Sequence, residues 1–265
     1  MRWSPKMEHT YWLKQGSEPL FPDILWSRPE SKSTSGKLAI IGGSSHGFGA
    51  PGIAYNASSL AGVGTVSVVM PDAIKKIVKG LLPTAEFAPS TPSGSFARQA
   101  LDSLLTASNW GDCALVAGDV GRNSETAVLF EAYVQKYSGL LTITQDAVDF
   151  FKETPKDIVD RPNTLIVLSL SQLQKLFMFT PTITPIILSM SVVQLVQALH
   201  EYTKEHRAVI ITKHADLIFV ASGGEVSTTK DDRKIWRVET AGRASVFWLQ
   251  NPTKPFESVT TALIS

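Results

Sequence analysis

Two glycine-rich turns are the parts of this chain best suited to hold a small ligand. The first reads Gly-Gly-Ser-Ser-His-Gly-Phe-Gly-Ala-Pro-Gly over residues 42–52 and follows a short apolar run. Glycines let the backbone approach a ligand closely, and Pro51 suits the first turn of a helix. We therefore expect a strand, a ligand-binding turn and a helix here, with His46 inside the turn.

The second turn reads Gly-Asp-Val-Gly-Arg over residues 118–122 and closes the apolar run at 113–117. Free backbone N–H groups in such a turn, together with the Arg122 guanidinium, can bind a phosphate or a carboxylate. A tight turn with a solvated Arg122 is an equally good interpretation. The first turn, read as Gly43-x-x-x-Gly47-x-Gly49, also matches the nucleotide turn of short-chain dehydrogenases, but no Tyr in the chain has a Lys four residues later.

A third candidate segment reads Lys-His-Ala-Asp-Leu over residues 213–217. It follows an apolar run and so places a cation at the carboxyl end of a strand, where open α/β sheets bind ligands. A surface lysine is the alternative. The five histidines show no ligand-like spacing with cysteine or carboxylates, so the sequence predicts no metal site.

Short apolar runs alternate with helical patterns, which is typical of parallel strands joined by crossover helices. Strands are predicted at residues 37–41, 65–70, 113–117, 140–144, 165–168 and 209–212. Helices are predicted at residues 74–82, 96–107, 127–137 and 192–206, with start signals at Asp72, Ser95, Ser124 and Ser191. A hairpin (217–221 with 225–228) and a third antiparallel strand (235–238) follow. The fold class is α/β, a three-layer sandwich whose central sheet is mostly parallel, with antiparallel edge strands.

The composition limits the binding partners and the cellular compartment that we expect. The chain has 265 residues, a net charge of +1 and one cysteine, Cys113. We expect no nucleic-acid partner because no broad basic face is implied, and no disulfide. No apolar run approaches the roughly 20 residues that span a bilayer, and no signal peptide is visible, so we expect no membrane partner and a cytoplasmic protein.

Read together, these segments resemble the ADP/ATP-dependent NAD(P)H-hydrate dehydratases, a carbohydrate-kinase-related family with a ribokinase-like fold. Residues 42–44 and 49–51 are similar to the opening strand, turn and helix of the family. Residues 118–122 are similar to its Gly-Pro-Gly-Leu-Gly-Arg, 145–148 to part of Asp-Ala-Asp-Ala-Leu, and 213–215 to Lys-Gly-Ala. The resemblance implies a ribokinase-like domain at 25–265 after an N-terminal extension at 1–24.

The resemblance also implies a reaction and its sites. Family members use ADP or ATP, with Mg²⁺, to phosphorylate the hydroxyl of hydrated NADH or NADPH, and loss of phosphate restores the cofactor. The substrate-binding positions carried over are His46, Ala50, Gly118, Gly121 and Asp146. The nucleotide-binding positions are Lys213, His214, Ala215, Asp216, Leu217, Gly242, Arg243 and Ala244. A homo-oligomer is also in keeping with the family.

One departure from the family bears on activity. Residues 238–247 are similar to Ala-Thr-Ala-Gly-Thr-Gly-Asp-Val-Leu, with Arg243, Ala244 and Ser245 where Thr, Gly and the catalytic Asp stand. Ser245 therefore takes the catalytic position without being a base, because a hydroxyl stays protonated near neutral pH unless a second base activates it. Pro252 further predicts that the helix after this turn is short.

A second departure lies at residues 168–172, Leu-Ser-Leu-Ser-Gln, which lack the His and Glu of the family's Thr-Pro-His-Pro-Gly-Glu. Three hypotheses follow. The first is a divergent NAD(P)H-hydrate dehydratase with impaired activity. The second is a pseudoenzyme that binds a nucleotide, an anionic metabolite or a protein partner. The third is an oxidoreductase of the short-chain type.

Overall fold

The chain builds one ten-stranded sheet in a computed structural model that describes residues 10–82, 84–180 and 184–265. The strands are β1 (Trp12–Gln15), β2 (Lys37–Gly42), β3 (Thr65–Pro71), β4 (Ala85–Ala88), β5 (Cys113–Gly118), β6 (Leu140–Thr144), β7 (Thr164–Val167), β8 (Val209–His214), β9 (Leu217–Ser222) and β10 (Glu225–Lys230). Their interior residues are almost all buried, as expected for strands covered on both faces.

The strands lie in the order β1-β10-β9-β8-β7-β6-β5-β2-β3-β4. From β8 through β4 every neighbouring pair is parallel, whereas β9 runs antiparallel to β8 and β10. Chain order reverses between β2 and β5, because β3 and β4 lie on one side of β2 while β5 lies on the other. Open α/β sheets bind ligands beyond the carboxyl ends of their strands at such a reversal.

Helices cover both faces of the sheet. They are α1 (Pro22–Trp26), α2 (Gly49–Leu60), α3 (Lys75–Val78), α4 (Leu101–Trp110), α5 (Ser124–Lys136), α6 (Lys156–Val159), α7 (Leu170–Met178), α8 (Val192–Glu205), α9 (Arg237–Gln250) and α10 (Pro255–Thr261). One core lies under α4, α5, α7 and α8, and the other lies under α2, α9 and α10. The structure is the three-layer α/β sandwich that the sequence predicts.

The predicted strands are confirmed, whereas only some of the predicted helix start signals are. All six predicted strands are present with bounds within two residues, and the hairpin of β9 and β10 is confirmed. Ser191 caps α8 as expected, but Asn123 rather than Ser124 caps α5. Ser95 caps no helix, because the chain turns through a short 3₁₀ segment (Arg98–Ala100) before α4.

The third antiparallel strand predicted at residues 235–238 is wrong, because α9 begins at Arg237. The turn expected at 242–244 is also wrong, although the predicted end of the helix before Pro252 is confirmed. One helix of 14 residues runs through this segment and ends at Gln250, just before Pro252. Residues 242–245 are thus the interior of a helix, and their backbone N–H groups belong to its hydrogen-bond ladder.

The N-terminal residues that the structure describes pack on the sheet. β1 runs parallel to β10, and the indole nitrogen of Trp12 donates to Thr228 Oγ1 at 3.0 Å. Gln15 is buried and donates to the Thr260 carbonyl at 2.7 Å, which links β1 to α10. Trp3 and His9 lie outside the described residues. A domain boundary at residue 24 stays a prediction.

Candidate functional site

The two glycine-rich turns lie side by side where the strand order reverses. β2 and β5 are neighbours, and the turn after each one leaves the carboxyl edge of the sheet. The Gly43 N–H donates to the Gly118 carbonyl at 3.0 Å. The Ala50 N–H, in the first turn of α2, donates to Asp119 Oδ2 at 2.7 Å. A carboxylate of the second turn is thus held against a helix start that belongs to the first.

The second turn has an unusual backbone, with positive φ at three of its residues. Gly118 has a φ of +107°, and a Cβ built on it would lie 2.4 Å from the Gln145 Cβ. Gly118 is therefore required both for its conformation and for the close approach of Gln145. Asp119 and Gly121 also have positive φ, and this aims the Gly121 N–H at Asp146 Oδ2, 3.1 Å away.

This geometry does not fit the expectation that the second turn offers free backbone N–H groups to a ligand phosphate. The chain's own carboxylates already accept the N–H groups of Ala50 and Gly121, through Asp119 and Asp146 respectively. These N–H groups are therefore satisfied by carboxylates of the chain and are not free for a ligand phosphate. Carboxylates accept hydrogen bonds from hydroxyl groups, such as those of a ribose, and can also take up a proton.

Asp146 is the side chain best placed for proton transfer. Burial raises its pKa, the nearby Asp119 carboxylate adds to the rise, and the Gly121 N–H opposes it. Its Oδ1 atom is buried, with no hydrogen-bond partner among the described residues. A raised pKa brings a carboxylate closer to the pH at which a general base works best. Asp146 thus combines a raised pKa with a buried oxygen that has no hydrogen-bond partner among the described residues.

A cavity of about 460 Å³ opens beside this carboxylate pair. Its lining residues are His46, Ser93, Ser95, Gly121, Arg122 and Asn123. The Asn123 amide donates to Ser93 Oγ at 2.9 Å and Ser45 Oγ donates to the Ser93 carbonyl at 2.7 Å, which ties the loop before α4 to both turns. His46 and Arg122 place polar and cationic groups on the wall of the cavity.

Arg237, the first residue of α9, interacts electrostatically with the carboxylates of Asp149 and Asp146. Its Nη1 atom donates to Gln172 Oε1 at 2.9 Å, and Gln172 Nε2 donates to the Gln145 carbonyl at 2.8 Å. Burial lowers the pKa of Arg237, and the charges of Asp149 and Asp146 oppose that shift. Neither Arg237 nor Gln172 is predicted as a site residue from the sequence, because their contacts join segments 65 and 27 residues apart.

The predicted nucleotide residues at 213–217 form the tight turn between β8 and β9. Lys213 Nζ donates to the Arg233 carbonyl at 2.7 Å and lies 3.6 Å from Asp231 Oδ2. Burial of Asp231 works against ionisation, but its hydrogen bonds and ion pairs with Arg233 and Lys213 outweigh burial and lower its pKa. The Lys213 ammonium is therefore already paired with a charged carboxylate.

The other members of this turn have structural contacts of their own. His214 Nε2 lies 2.8 Å from the Met190 carbonyl, Ala215 has a positive φ, and the Asp216 carbonyl accepts the Asp231 N–H at 2.7 Å. Leu217 pairs with His214 across the turn.

The remaining predicted residues lie along α9, away from its start. Gly242 packs on α2, where an added Cβ would lie 3.0 Å from both the Ala54 carbonyl oxygen and the Ala57 Cβ. The Arg243 guanidinium lies 3.7 Å from Glu239 and also donates to the Ser265 carbonyl. Ala244 is buried. The anion-binding turn expected at 242–244 is therefore wrong, because a helix interior has no free N–H groups to offer.

Ser245 is sealed inside the protein. Its side chain is 0% exposed, and its hydroxyl contacts Thr142 Oγ1 at 2.8 Å and the Ala241 carbonyl at 2.7 Å. The carboxylate in the first turn of α9 is Glu239, which pairs with Arg233 at 2.9 Å. The idea that Ser245 marks a lost catalytic base has no support in this geometry, because no ligand can reach that position.

The start of α9 is a helix terminus that can meet an anion. No side chain caps its first N–H groups, and Arg237 stands at its first position. Among residues 10–82, 84–180 and 184–265, no group of three or more His, Cys, Asp or Glu side chains is arranged to hold a metal ion.

Comparison with known proteins defines the fold class. A ribokinase-like superfamily protein from Enterococcus faecalis matches with a TM-score of 0.74 and 16% identity, covering 98% of this chain and 88% of the other. The fold is ribokinase-like. Its structural neighbours include an ADP/ATP-dependent NAD(P)H-hydrate dehydratase from Bacillus subtilis, co-crystallised with ATP and Mg²⁺, with a TM-score of 0.61 and 14% identity over 93% of this chain and 86% of that one.

Sequence comparison points the same way over a shorter stretch. The bifunctional NAD(P)H-hydrate repair enzyme of Methanothermobacter thermautotrophicus is 33% identical over 104 residues, which is 39% of this chain. The match spans 20% of that relative's length. No family model matches the chain. Among the residues that the structure describes, no helix has the length and apolar character needed to cross a membrane.

Proposed function

We propose that the chain is a divergent NAD(P)H-hydrate dehydratase-like protein that binds hydrated NADH or NADPH at the carboxyl edge of its sheet. The observation that carries the proposal is Asp146, a carboxylate with a raised pKa and an unpartnered oxygen, which accepts the N–H of Gly121, a residue that lines a cavity together with His46 and Arg122. The distant sequence match to a hydrate repair enzyme and the ribokinase-like fold support this choice.

Asp146 takes the role of proton acceptor in this proposal. Its unpartnered oxygen would accept the proton of the substrate hydroxyl as the hydroxyl oxygen bonds to the terminal phosphorus of the nucleotide and the bond from that phosphorus to the rest of the nucleotide breaks, while the Gly121 N–H holds the other Asp146 oxygen in place. A positioned general base contributes about 10²–10⁴-fold to rate. Asp119 positions this base indirectly, since it fixes the two turns against each other.

ADP or ATP binds at the start of α9 in this proposal. The uncapped helix start and Arg237 supply N–H groups and positive charge for phosphates, and Lys213 and the turn at 214–217 lie at the end of the adjoining strand. When bound, a nucleotide would supply the phosphoryl group, with Mg²⁺ neutralising its charge.

Hydrated NADH and either ADP or ATP test the enzymatic proposal directly. The absorbance of reduced nicotinamide should rise with purified protein, because dehydration restores the cofactor. A rate no higher than that of heat-inactivated protein would overturn it. Omitting the nucleotide should abolish the signal, which separates nucleotide-dependent repair from spontaneous loss of water.

A binding protein without turnover is the second candidate function. The pairing of Lys213 with Asp231 favours it, because that ammonium is not free for a nucleotide phosphate. A ligand that binds only the native state raises thermal stability. An increase in Tm with hydrated NADPH or ATP, without turnover, supports this second candidate, and no increase with any of these ligands counts against both.

A further inference from the structure

A second cavity, of about 500 Å³, lies at the amino edge of the sheet, opposite the cleft described above. Lys156, Asp160, Glu205, His206 and Arg207 line it. Lys156 and Asp160 belong to α6 and its C-terminal end, which precede β7, while the other three residues lead into β8. This cavity shares no lining residue with the cleft.

A buried histidine is held rigidly at this second cavity. His206 is 9% exposed, and its Nδ1 atom lies 2.5 Å from Asp160 Oδ1. An ionised carboxylate can only accept, so Nδ1 carries the proton and donates it to Asp160. The ring also packs against Tyr202, with 4.2 Å between ring centroids. The ring orientation is therefore fixed by contacts on two sides.

The other ring nitrogen of His206 has no partner. Among the described residues, Nε2 is buried without any hydrogen-bond partner. Buried polar atoms are nearly always paired, because an unpaired one loses its hydration without compensation. A ligand atom that hydrogen-bonds with Nε2 would remove that loss.

The charges around His206 indicate what the ligand is. In the described part of the chain neither Lys156 nor Arg207 forms an ion pair. Asp160 already has one oxygen engaged with His206, which leaves Glu205 as the unpaired carboxylate of the cavity. The Arg207 N–H donates to the Val159 carbonyl at 2.9 Å, which anchors the base of that side chain. Two unpaired cations favour an oxyanion, and a phosphate that retains a P–OH group accepts from both cations and donates its hydroxyl to Nε2.

We propose that this amino-edge cavity binds a phosphate-type oxyanion through Lys156, Arg207 and Nε2 of His206. In the complex the Nδ1–H of His206 donates to Asp160, and Nε2 accepts a hydrogen bond from a P–OH group of the bound phosphate. The site is independent of the proposed dehydratase activity, because it lies at the other edge of the sheet and uses none of the cleft residues.

Calorimetric titration with inorganic phosphate, in a phosphate-free buffer, tests this proposal. One site per chain is expected. Arg207→Gln and Lys156→Gln should each weaken binding about tenfold or more, since each removes a charge-assisted hydrogen bond. Lys152→Gln, an exposed lysine four residues before Lys156, and Arg122→Gln in the cleft should leave the affinity unchanged. Thermal unfolding without phosphate establishes that each variant folds.

Two further measurements locate the anion and identify its source. Phosphate should shift the ¹⁵N resonance of His206 Nε2, and it should do so in the Arg122→Gln variant as well. Glycerol phosphate in place of inorganic phosphate shows whether the cavity takes a monoester or the free ion only, and binding of either one supports the proposal. No binding to the wild type, or a loss seen only in Arg122→Gln, would overturn it.

Discussion

The Asp119 carboxylate accepts the Ala50 N–H at 2.7 Å, and this bond ties together two turns that are 69 residues apart in the chain. It closes the junction between β2 and β5, the point at which the strand order of the sheet reverses. The same turn that carries Asp119 also directs the Gly121 N–H to Asp146. The candidate site is therefore a linked pair of carboxylates, each held by a backbone N–H.

Asp119→Gly should lower the free energy of unfolding by about 1.5–3 kcal/mol, the range for a hydrogen bond to a charged group. Glycine keeps the positive φ of this position without strain, so the loss reports the missing carboxylate. Asp119→Asn retains an acceptor and should lose less. Urea denaturation of the three proteins measures the difference, and equal stability of wild type and both variants would contradict a structural role for this bond.

Gly118→Ala should destabilise the protein by about 1–3 kcal/mol or more, because its φ is +107° and the new Cβ would lie 2.4 Å from the Gln145 Cβ. Gly52→Ala is the matched control. Gly52 lies in α2 with nothing within 4 Å of an added Cβ, so alanine should stabilise that helix by about 0.5–1 kcal/mol. Thermal denaturation should move Tm in opposite directions for the two variants, and a shared direction would refute this interpretation.

Ser245→Asp should unfold the protein or destabilise it by several kcal/mol, because it places a carboxylate in a fully buried position against Thr142. It should not raise activity. Ser245→Ala should cost only about 1 kcal/mol and leave turnover of hydrated NADH unchanged. Circular dichroism with the absorbance assay checks both variants. Activity that rises in a folded Ser245→Asp protein would restore the idea of a missing base at this position.

Asp146→Asn should stabilise the protein at pH 7, because burial raises the pKa of the native carboxyl and ionisation therefore costs stability. In the unfolded chain the group titrates near its ordinary value of about 3.9. Between that value and the raised native pKa the folded state binds more protons, so wild-type stability falls as pH rises, and the cost persists above the native pKa. Below pH 4 the cost is absent.

The urea midpoints of wild type and Asp146→Asn should therefore diverge from pH 4 to pH 7. The variant should be the more stable protein at the higher pH, since its amide oxygen can still accept the Gly121 N–H. Asp232→Asn, an exposed control, should follow the wild type at both values. If the stability of the wild type instead increased relative to that of the variant as pH rises, the protein would stabilise Asp146 in its charged form.

The sequence predicts the centre of the fold well, because buried parallel strands are continuous apolar runs and glycines mark the turns that follow them. It fails at α9. Trp236 precedes this helix and provides no side-chain cap, so residues 235–238 have the composition of a strand and lack a helix start signal. Position 242 is glycine because α2 and α9 pack closely there. From the sequence alone, such a glycine cannot be distinguished from one that forms a turn.

The site was predicted in part. Both glycine turns and Asp146 stand out as residue types in a suggestive order, and the structure brings His46 and Gly121 to one cavity. The hydrogen bond from the Gly121 N–H to Asp146 joins two residues that are 25 positions apart in the chain. It also requires positive φ at three residues between 118 and 121. No local pattern encodes such a contact. The roles of the predicted ligand-binding residues stay predictions.

Parallel rate measurements on wild type and Asp146→Asn, with hydrated NADH and ATP or ADP as substrates, test the central claim most directly. The wild type should restore reduced-nicotinamide absorbance, and the variant, folded by circular dichroism, should be slower by about 10²–10⁴-fold. Equal rates in the two proteins, or a wild type no faster than heat-inactivated protein, would contradict the assignment of Asp146 as the proton acceptor.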